Sequence, residues 1–365
     1  MTTVKMSVDS LFWKGKRVYV TGHTGFKGSW LCLWLQSMGA EIKGYARESL
    51  TTPNLFAVAH VAKKMQHEIG DICNITQLTK SIVEFNPDIL FHLAAQPLVR
   101  YSYQAPVETY QTNVMGTVHV LEAVRQCSNL KAVVNITTDK CYENKEWHWG
   151  YREDEAMGGF DPYSSSKGCS ELITTAYRRS FLSDIGVGLA SARAGNVIGG
   201  GDWSEDRLIP DILRAIEQNN PVIIRHPNSV RPWQHVLEPL SGYLMLAQAL
   251  YSHPKKYAQG WNFGSSDEDA KPVSWIVDKM LKHWDGATWQ LHPEANMQPH
   301  EAHYLKLDSS KAKAYLGWQS KLQLQQALEK VVLWHQKWLE NQDMRMVCLQ
   351  EIKSYQQQLT RSVDE

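Results

Sequence analysis

An excess of charge of either sign is missing from this chain, whose Lys+Arg and Asp+Glu each number 38. Such a balance gives no global field for nucleic acid or an anionic membrane surface, so an anionic ligand must be held by locally placed arginines. Cysteine is sparse and unpatterned. Cys32, Cys73, Cys127, Cys141, Cys169 and Cys348 form no C-x-x-C pair and no framework spacing, the usage of free thiols in a reducing cytoplasm. No run approaches the roughly 20 apolar residues that span a bilayer, and the N-terminus has no apolar signal core. Paired metal-ligand spacings, internal repeats and low-complexity linkers are absent as well. These absences lead to the expectation of a cytoplasmic protein with no nucleic-acid partner, no membrane partner and no metal.

What is present begins with Arg17-Val18-Tyr19-Val20, which reads as a short buried strand. Thr21-Gly22-His23-Thr24-Gly25-Phe26-Lys27-Gly28 follows at once, and then a helix over 29–38. Gly22, Gly25 and Gly28 form a variant of the dinucleotide fingerprint: its glycines permit a tight turn, close approach to a diphosphate and close helix–strand packing. The helix N-terminus presents free N–H groups to the phosphates. Gly22, His23, Gly25, Phe26 and Gly28 are therefore candidate cofactor contacts, with His23 either an ordinary solvated residue or, if charged, a neighbour of the diphosphate.

Strand signals continue at 41–46, near 70–72, and at 88–92, 132–137 and 187–192, alternating with helices at 75–85, 106–127 and 163–181. Repeated β-α units with apolar strands predict an α/β fold, a Rossmann-type doubly wound parallel sheet covered on both faces. After Gly195 the rhythm breaks. Short strands at 222–225, 261–264 and 288–291 lie among helices at 208–218, 237–251 and 273–284. The expected division is a cofactor domain over 1–195 and a smaller α/β substrate lobe over 196–365, with the chain free to cross back. Substrate belongs in the crevice outside the carboxyl ends of the strands. The end of the chain is helical by pattern, with an apolar stripe of Leu349, Ile352, Tyr355 and Leu359.

Chemistry concentrates in two segments. Tyr163-x-x-x-Lys167 puts a phenol and an ammonium one helical turn apart. The positive charge is expected to favour phenolate and lower the tyrosine pKa toward that of a usable base. Upstream, the fifth strand ends in Thr137-Thr138-Asp139-Lys140, an acid and a cation suited to a second reaction. Arg231 is the best phosphate clamp by its planar donor fork. Arg193, Arg207 and Arg225 are each either structural or ligand-binding. Gln96 and Arg100, after the fourth strand, are placed to line a substrate pocket, with His300-Glu301 as further candidates and Trp203 and Trp233 either lining it or packing in the core; His226 and His235 read as structural.

Together, the glycine turn, His92-Leu93-Ala94-Ala95, Asn113-Val114-x-Gly116-Thr117, Thr138-Asp139 and Tyr163-x-x-x-Lys167 resemble the extended short-chain dehydrogenase/reductase superfamily over nearly the whole chain. The segments 136–142, 192–203 and 231–236 narrow the resemblance to the nucleotide-sugar 4,6-dehydratases, most closely the CDP-glucose type. Other 4,6-dehydratases and 4-epimerases remain alternatives, as does a nucleotide-sensing protein that kept the fold without the catalysis.

The resemblance implies oxidation at C4 by Tyr163 and Lys167 with NAD, Thr138 orienting the hydroxyl, and Asp139 protonating the departing C6 hydroxyl. Lys140 stands where dTDP-glucose dehydratases carry a glutamate base, and is here either the C5 base or an electrostatic stabiliser. The resemblance also implies cofactor contacts from Leu93, Ala94 and Ala95 and from Asp71-Ile72, and a substrate contact from Asn196. Arg47 departs from the acidic residue usual in NAD enzymes: it either accommodates a 2′-phosphate, which means NADP, or stacks on adenine. A homodimer through the 106–127 and Tyr163 helices is implied, with Val114, Val118, Leu121 and Leu172 as candidate contacts, and a homotetramer as a further possibility.

Overall fold

Short strands with no polar face must be covered on both sides, and the chain meets that demand with one large parallel sheet. The structure, a computed structural model, describes residues 6–293 and 304–364. Its strands are β1 (Arg17–Thr21), β2 (Glu41–Ala46), β3 (Gln66–Ile69), β4 (Ile89–His92), β5 (Ala132–Ile136), β6 (Gly188–Ala194), β7 (Asn196–Ile198), β8 (Val222–Ile224), β9 (Val230–His235), β10 (Gly260–Phe263), β11 (Ala270–Pro272) and β12 (Trp289–Leu291). Seven of them form a sheet in the order β10-β6-β5-β4-β1-β2-β3, and each neighbouring pair is parallel.

Successive residues of these strands feed opposite cores. Val18, Val20, Ile89, Phe91, Val134 and Ala192 pack into a large cluster with Trp30, Trp34 and Leu244. Tyr19, Leu90, Val133 and Leu189 pack into the other with Leu78, Ile82 and Leu121. This two-sided burial is the expected doubly wound fold. The strand order reverses between β1 and β4, and a crevice opens at such a switch point beside the strands' carboxyl ends.

The strand expected near Trp261 in the smaller lobe is instead the far edge of the main sheet, with Gly260 to Phe263 in register with Ser191 to Ala194. The physical reason is the helix Leu237–Ser252, buried on all sides, which carries the chain back over the sheet. Three strands gave no sequence signal. β7, β9 and β11 make a separate sheet in the order β11-β9-β7; β9 reads Val-Arg-Pro-Trp-Gln-His, with no apolar alternation to reveal it. The lobe has its own core of Ile198, Ile209, Ile224, Trp233, Met280 and Val331.

The long helix expected over 106–127 runs from Pro106 to Val124 and widens over one turn, Gln111–Met115, between Pro106–Tyr110 and Gly116–Val124. That turn holds Asn113, whose Nδ2 donates to Ser166 Oγ at 2.9 Å and to the Gln96 carbonyl at 3.0 Å. At the end of the chain, Ile352, Tyr355 and Leu359 of the Met344–Asp364 helix are buried, and Met344 and Cys348 continue their stripe.

Candidate functional site

The site is built where β1, β4, β5 and β6 end. Gly22, at φ +77°, turns the chain out of β1, and a Cβ there would stand 2.6 Å from Ala94 N. Thr21 Oγ1 accepts from Leu93 N and Ala94 N, both at 3.2 Å, clamping the two loops together. A Cβ on Gly28 would overlap the Gly22 carbonyl, so the helix Phe26–Ser37 can begin this close to the turn only with glycine there. Gly25 differs: a Cβ on it would meet only the Gly22 carbonyl oxygen, at 3.4 Å. Its open side is an unfilled cradle at a helix N-terminus, which fits a dinucleotide's diphosphate. Ile72 packs against Gly116, and Asp71 lies close enough to Arg47 to act on its charge.

His23 corrects one expectation. It is buried against Phe56 and His67, its Nε2 lies 3.2 Å from His67 Nδ1, and burial, then His67, lowers its pKa to about 4. It presents no charge to a diphosphate. Arg47 is half-exposed and paired at 3.1 Å with Glu108, which also accepts from Tyr101 Oη at 2.6 Å.

Asp161 caps the helix Pro162–Tyr177 through its Oδ1, which accepts from Ser164 N at 2.9 Å, and Pro162 opens it. Tyr163 and Lys167 then project toward the loop after β5, both buried. The Tyr163 pKa is not lowered as the sequence suggested: burial raises it to about 12, against a hydrogen bond with Thr138 and the charge of Arg207. Lys167 is engaged elsewhere, donating to the Ile136 carbonyl at 3.3 Å, and burial lowers its own pKa to about 8. Behind it, Glu171 takes both arms of Arg193, at 2.8 and 2.9 Å. That buried pair is structural, and Arg193 does not reach the cavity.

The loop after β5 continues the chain of contacts. Thr138 Oγ1 donates to Asp139 Oδ1 at 2.9 Å, and Lys140 Nζ is 3.5 Å from the same oxygen. Asp139 is only 1% exposed and points inward; its Oδ2 has no hydrogen-bond partner among the described residues. That oxygen lies against Gly195, where a Cβ would come within 3.2 Å of it. Tyr163, Thr138 and Lys140 line a cavity of about 920 Å³, and Asp139, hydrogen-bonded to Thr138, completes their relay from behind that wall.

Arg100, Asn196, Arg207, Arg225 and Arg231 line that cavity. Asp206 bridges Arg225 at 3.0 Å and Arg100 at 3.7 Å, while Arg207 pairs with Asp202 at 3.2 Å. Gln96 does not line it: its amide is spent on Thr109, the Leu98 carbonyl and Leu98 N, at 2.9, 3.1 and 2.6 Å. His226 and Trp233 are in the wall, whereas His235 is buried beside Glu351 at 3.0 Å. His300 and Glu301 lie outside the described residues. Lys27 also lines the cavity and went unnoticed in the sequence. Its signal was being the sole charge in an otherwise uncharged, mostly buried helix.

The GDP-mannose 4,6-dehydratase family model matches residues 19–331. The chain belongs to that family. It is similar to a CDP-glucose 4,6-dehydratase of Salmonella typhimurium, 59% identical over 360 residues, covering 97% of this chain and 100% of that protein. A dTDP-glucose 4,6-dehydratase of Escherichia coli K12 is 24% identical, over 89% of this chain and 95% of its own. Among solved structures, a dTDP-glucose 4,6-dehydratase of Bacillus anthracis in complex with NAD has a TM-score of 0.74 at 24% identity, covering 91% of this chain and 100% of that one. A UDP-glucose 4-epimerase of Thermotoga maritima with UDP-glucose reaches 0.76 at 20%, covering 88% and 99%. At these identities the two structures speak for the shared fold. Among the described residues of this family member, no group of three or more potential metal ligands forms, and no helix is long and apolar enough to cross a membrane.

Proposed function

We propose that the chain is a CDP-glucose 4,6-dehydratase, a hydro-lyase that uses NAD and forms CDP-4-keto-6-deoxy-glucose and water. The observation that carries this reading is the relay from Tyr163 through Thr138 to Asp139 and Lys140, which joins a group for C4 to an acid and a cation for C6 and C5. NAD, held by the glycine turn, would supply a hydride acceptor for C4 and a hydride donor for C6. Tyr163 Oη removes the C4 hydroxyl proton while Thr138 Oγ1 orients that oxygen. The ketone acidifies C5, and Lys140 Nζ accepts the C5 proton. Asp139 delivers a proton to the C6 oxygen, water leaves, and a C5=C6 double bond remains for reduction. As C6 is reduced, Lys140 Nζ returns its proton to C5, and the proton that Tyr163 took from the C4 hydroxyl restores the Asp139 acid by way of Thr138, which hydrogen-bonds both.

The nucleobase rests on the 59% identical relative, and the diphosphate on Arg100, Arg207, Arg225 and Arg231 with Asn196. NAD is favoured over NADP by Glu108, which occupies Arg47, and by nearby Asp71: two carboxylates would repel a 2′-phosphate. Gly22, Gly25, Phe26 and Gly28 with Leu93, Ala94, Ala95 and Ile72 form the rest of that binding site, and Lys167 and Tyr163 its nicotinamide end. A cytoplasmic location agrees with six free cysteines. A homodimer, or a tetramer built from it, agrees with exposed Val107, Met115 and Leu172 on the two flank helices; Leu121 faces the chain's own core instead.

Incubation with CDP-glucose, dTDP-glucose, UDP-glucose and GDP-mannose, followed by mass spectrometry, tests the reading. Loss of water from CDP-glucose without accumulation of NADH is expected. Loss from none of the four would overturn it.

A further inference from the structure

Within the reading just given, a third lysine reaches the reaction cavity. Lys27 stands in the first turn of the Phe26–Ser37 helix, beside the cofactor cradle, and lines the cavity together with Thr138, Lys140, Tyr163 and Arg207. Its ammonium forms no hydrogen bond or ion pair with a described residue. Arg207, Lys167 and, once it holds the C5 proton, Lys140 act on it as like charges, and Asp139, when ionised, is the one carboxylate named against them. Several cations around a single carboxylate form a pocket with positive charge to spare, and such a pocket favours the state in which its ligand is most negative.

Over the proposed reaction that state is unambiguous. When the C5–H bond breaks, the proton goes to Lys140 and the electron pair moves into the C4–C5 bond, leaving the C4 oxygen an oxyanion. The charge then moves on as the C6–O bond breaks with Asp139's proton. Tyr163 and Thr138 flank the same C4 oxygen but, having just taken up or oriented its proton, are neutral donors and bring no positive charge to it. We propose that Lys27 is a catalytic residue of this dehydration, its ammonium placed against the C4 oxyanion that forms when C5 is deprotonated.

Burial and the surrounding cations lower the Lys27 pKa to about 7, so its charge is available below neutrality and fades above it in the ligand-free protein. The groups that set this are Arg207, Lys167 and Lys140 on one side and Asp139 on the other.

Two experiments decide the matter. The first needs no turnover: amine acetylation at pH 7.5, with Lys27 followed by peptide mass spectrometry. Lys27 should react faster than the exposed Lys80, and CDP-glucose should protect it while CDP, which lacks the hexose, should not. Equal protection by CDP would make Lys27 a diphosphate contact and overturn the proposal; so would labelling that neither ligand alters. The second compares Lys27→Met and Lys27→Arg. Methionine should lower kcat about 100-fold, the scale of losing one oxyanion donor, with KM changed less than threefold, and arginine should restore most of the loss. Lys27→Met with kcat within twofold of the parent would refute the role, as would a raised KM at unchanged kcat. A parent protein that dehydrates none of the nucleotide sugars would instead sink the functional reading, which the labelling result would not by itself do.

Discussion

At the scale of single residues, the roles proposed for the Tyr163 relay are separable. Asp139→Asn keeps the size of the side chain and its contact with Thr138 but cannot deliver a proton. Oxidation at C4 should therefore persist, visible as reduced cofactor at 340 nm, while water loss falls by roughly 100-fold or more, the range for a lost general acid. If water loss continues at the parent rate, the proton comes from another group.

Two buried histidines give a second prediction. The pKa of His23 is lowered to about 4 and that of His92 to about 3, by burial first, then by His67 and Lys167 respectively. Each folded value lies below the ordinary 6.5, so the unfolded chain binds more protons between pH 6.5 and 4. Their contribution is complete above pH 6.5 and is lost as pH falls toward 4. At pH 5 the loss is about 2 kcal/mol for each histidine. Urea midpoints at pH 7.5, 6 and 5 should fall in step, and a flat profile would contradict the buried, neutral state of both.

At the scale of elements, the sequence was most readable where period and punctuation agreed. The strand–turn–helix around Gly22 and the helix capped by Asp161-Pro162 both sit where their residues placed them. What stayed hidden was held by tertiary contacts. β9 has no alternation because Arg231, Trp233 and His226 nearby face a cavity rather than water. The Tyr163 pKa was misjudged because helical spacing fixes the face a lysine shares but not which oxygen its ammonium reaches. Lys27 stays hidden because the glycine spacing around it accounts for the turn without it.

The glycine turn makes an element-scale prediction. In Gly25→Ala the new methyl enters the cradle and touches little else, so the fold should hold with Tm within a few degrees while NAD affinity drops about tenfold, roughly 1.4 kcal/mol. In Gly28→Ala the methyl overlaps the Gly22 carbonyl, and stability itself should fall by about 1–3 kcal/mol, as overpacking does. Calorimetry for the first and urea titration for the second would separate them; equal effects of the two substitutions would contradict the division of labour.

At the scale of the whole molecule, the C-terminal helix fastens the lobe to the main sheet. Tyr355 Oη donates to Glu238 Oε2 at 2.7 Å, and Glu238 Oε1 accepts from Lys321 N and Leu322 N at 3.0 and 2.7 Å. Glu238 is fully buried, and burial raises its pKa. Tyr355→Phe removes one donor from a buried carboxyl and should cost about 1–3 kcal/mol by urea titration, with KM unaltered. A change in KM without a change in stability would mean that the helix acts on the site directly.

One consequence of β10 concerns synthesis. The Tyr163 relay rests on β5 and β6, yet the strand that closes the outer side of β6 is not made until Phe263 has left the ribosome. Until then a nascent chain holding every residue of the Tyr163 relay still offers Gly188–Ala194 as a bare hydrogen-bonding margin, open to the wrong neighbour. Chemistry and solubility are thus completed by different stretches of the same message, and the second arrives last.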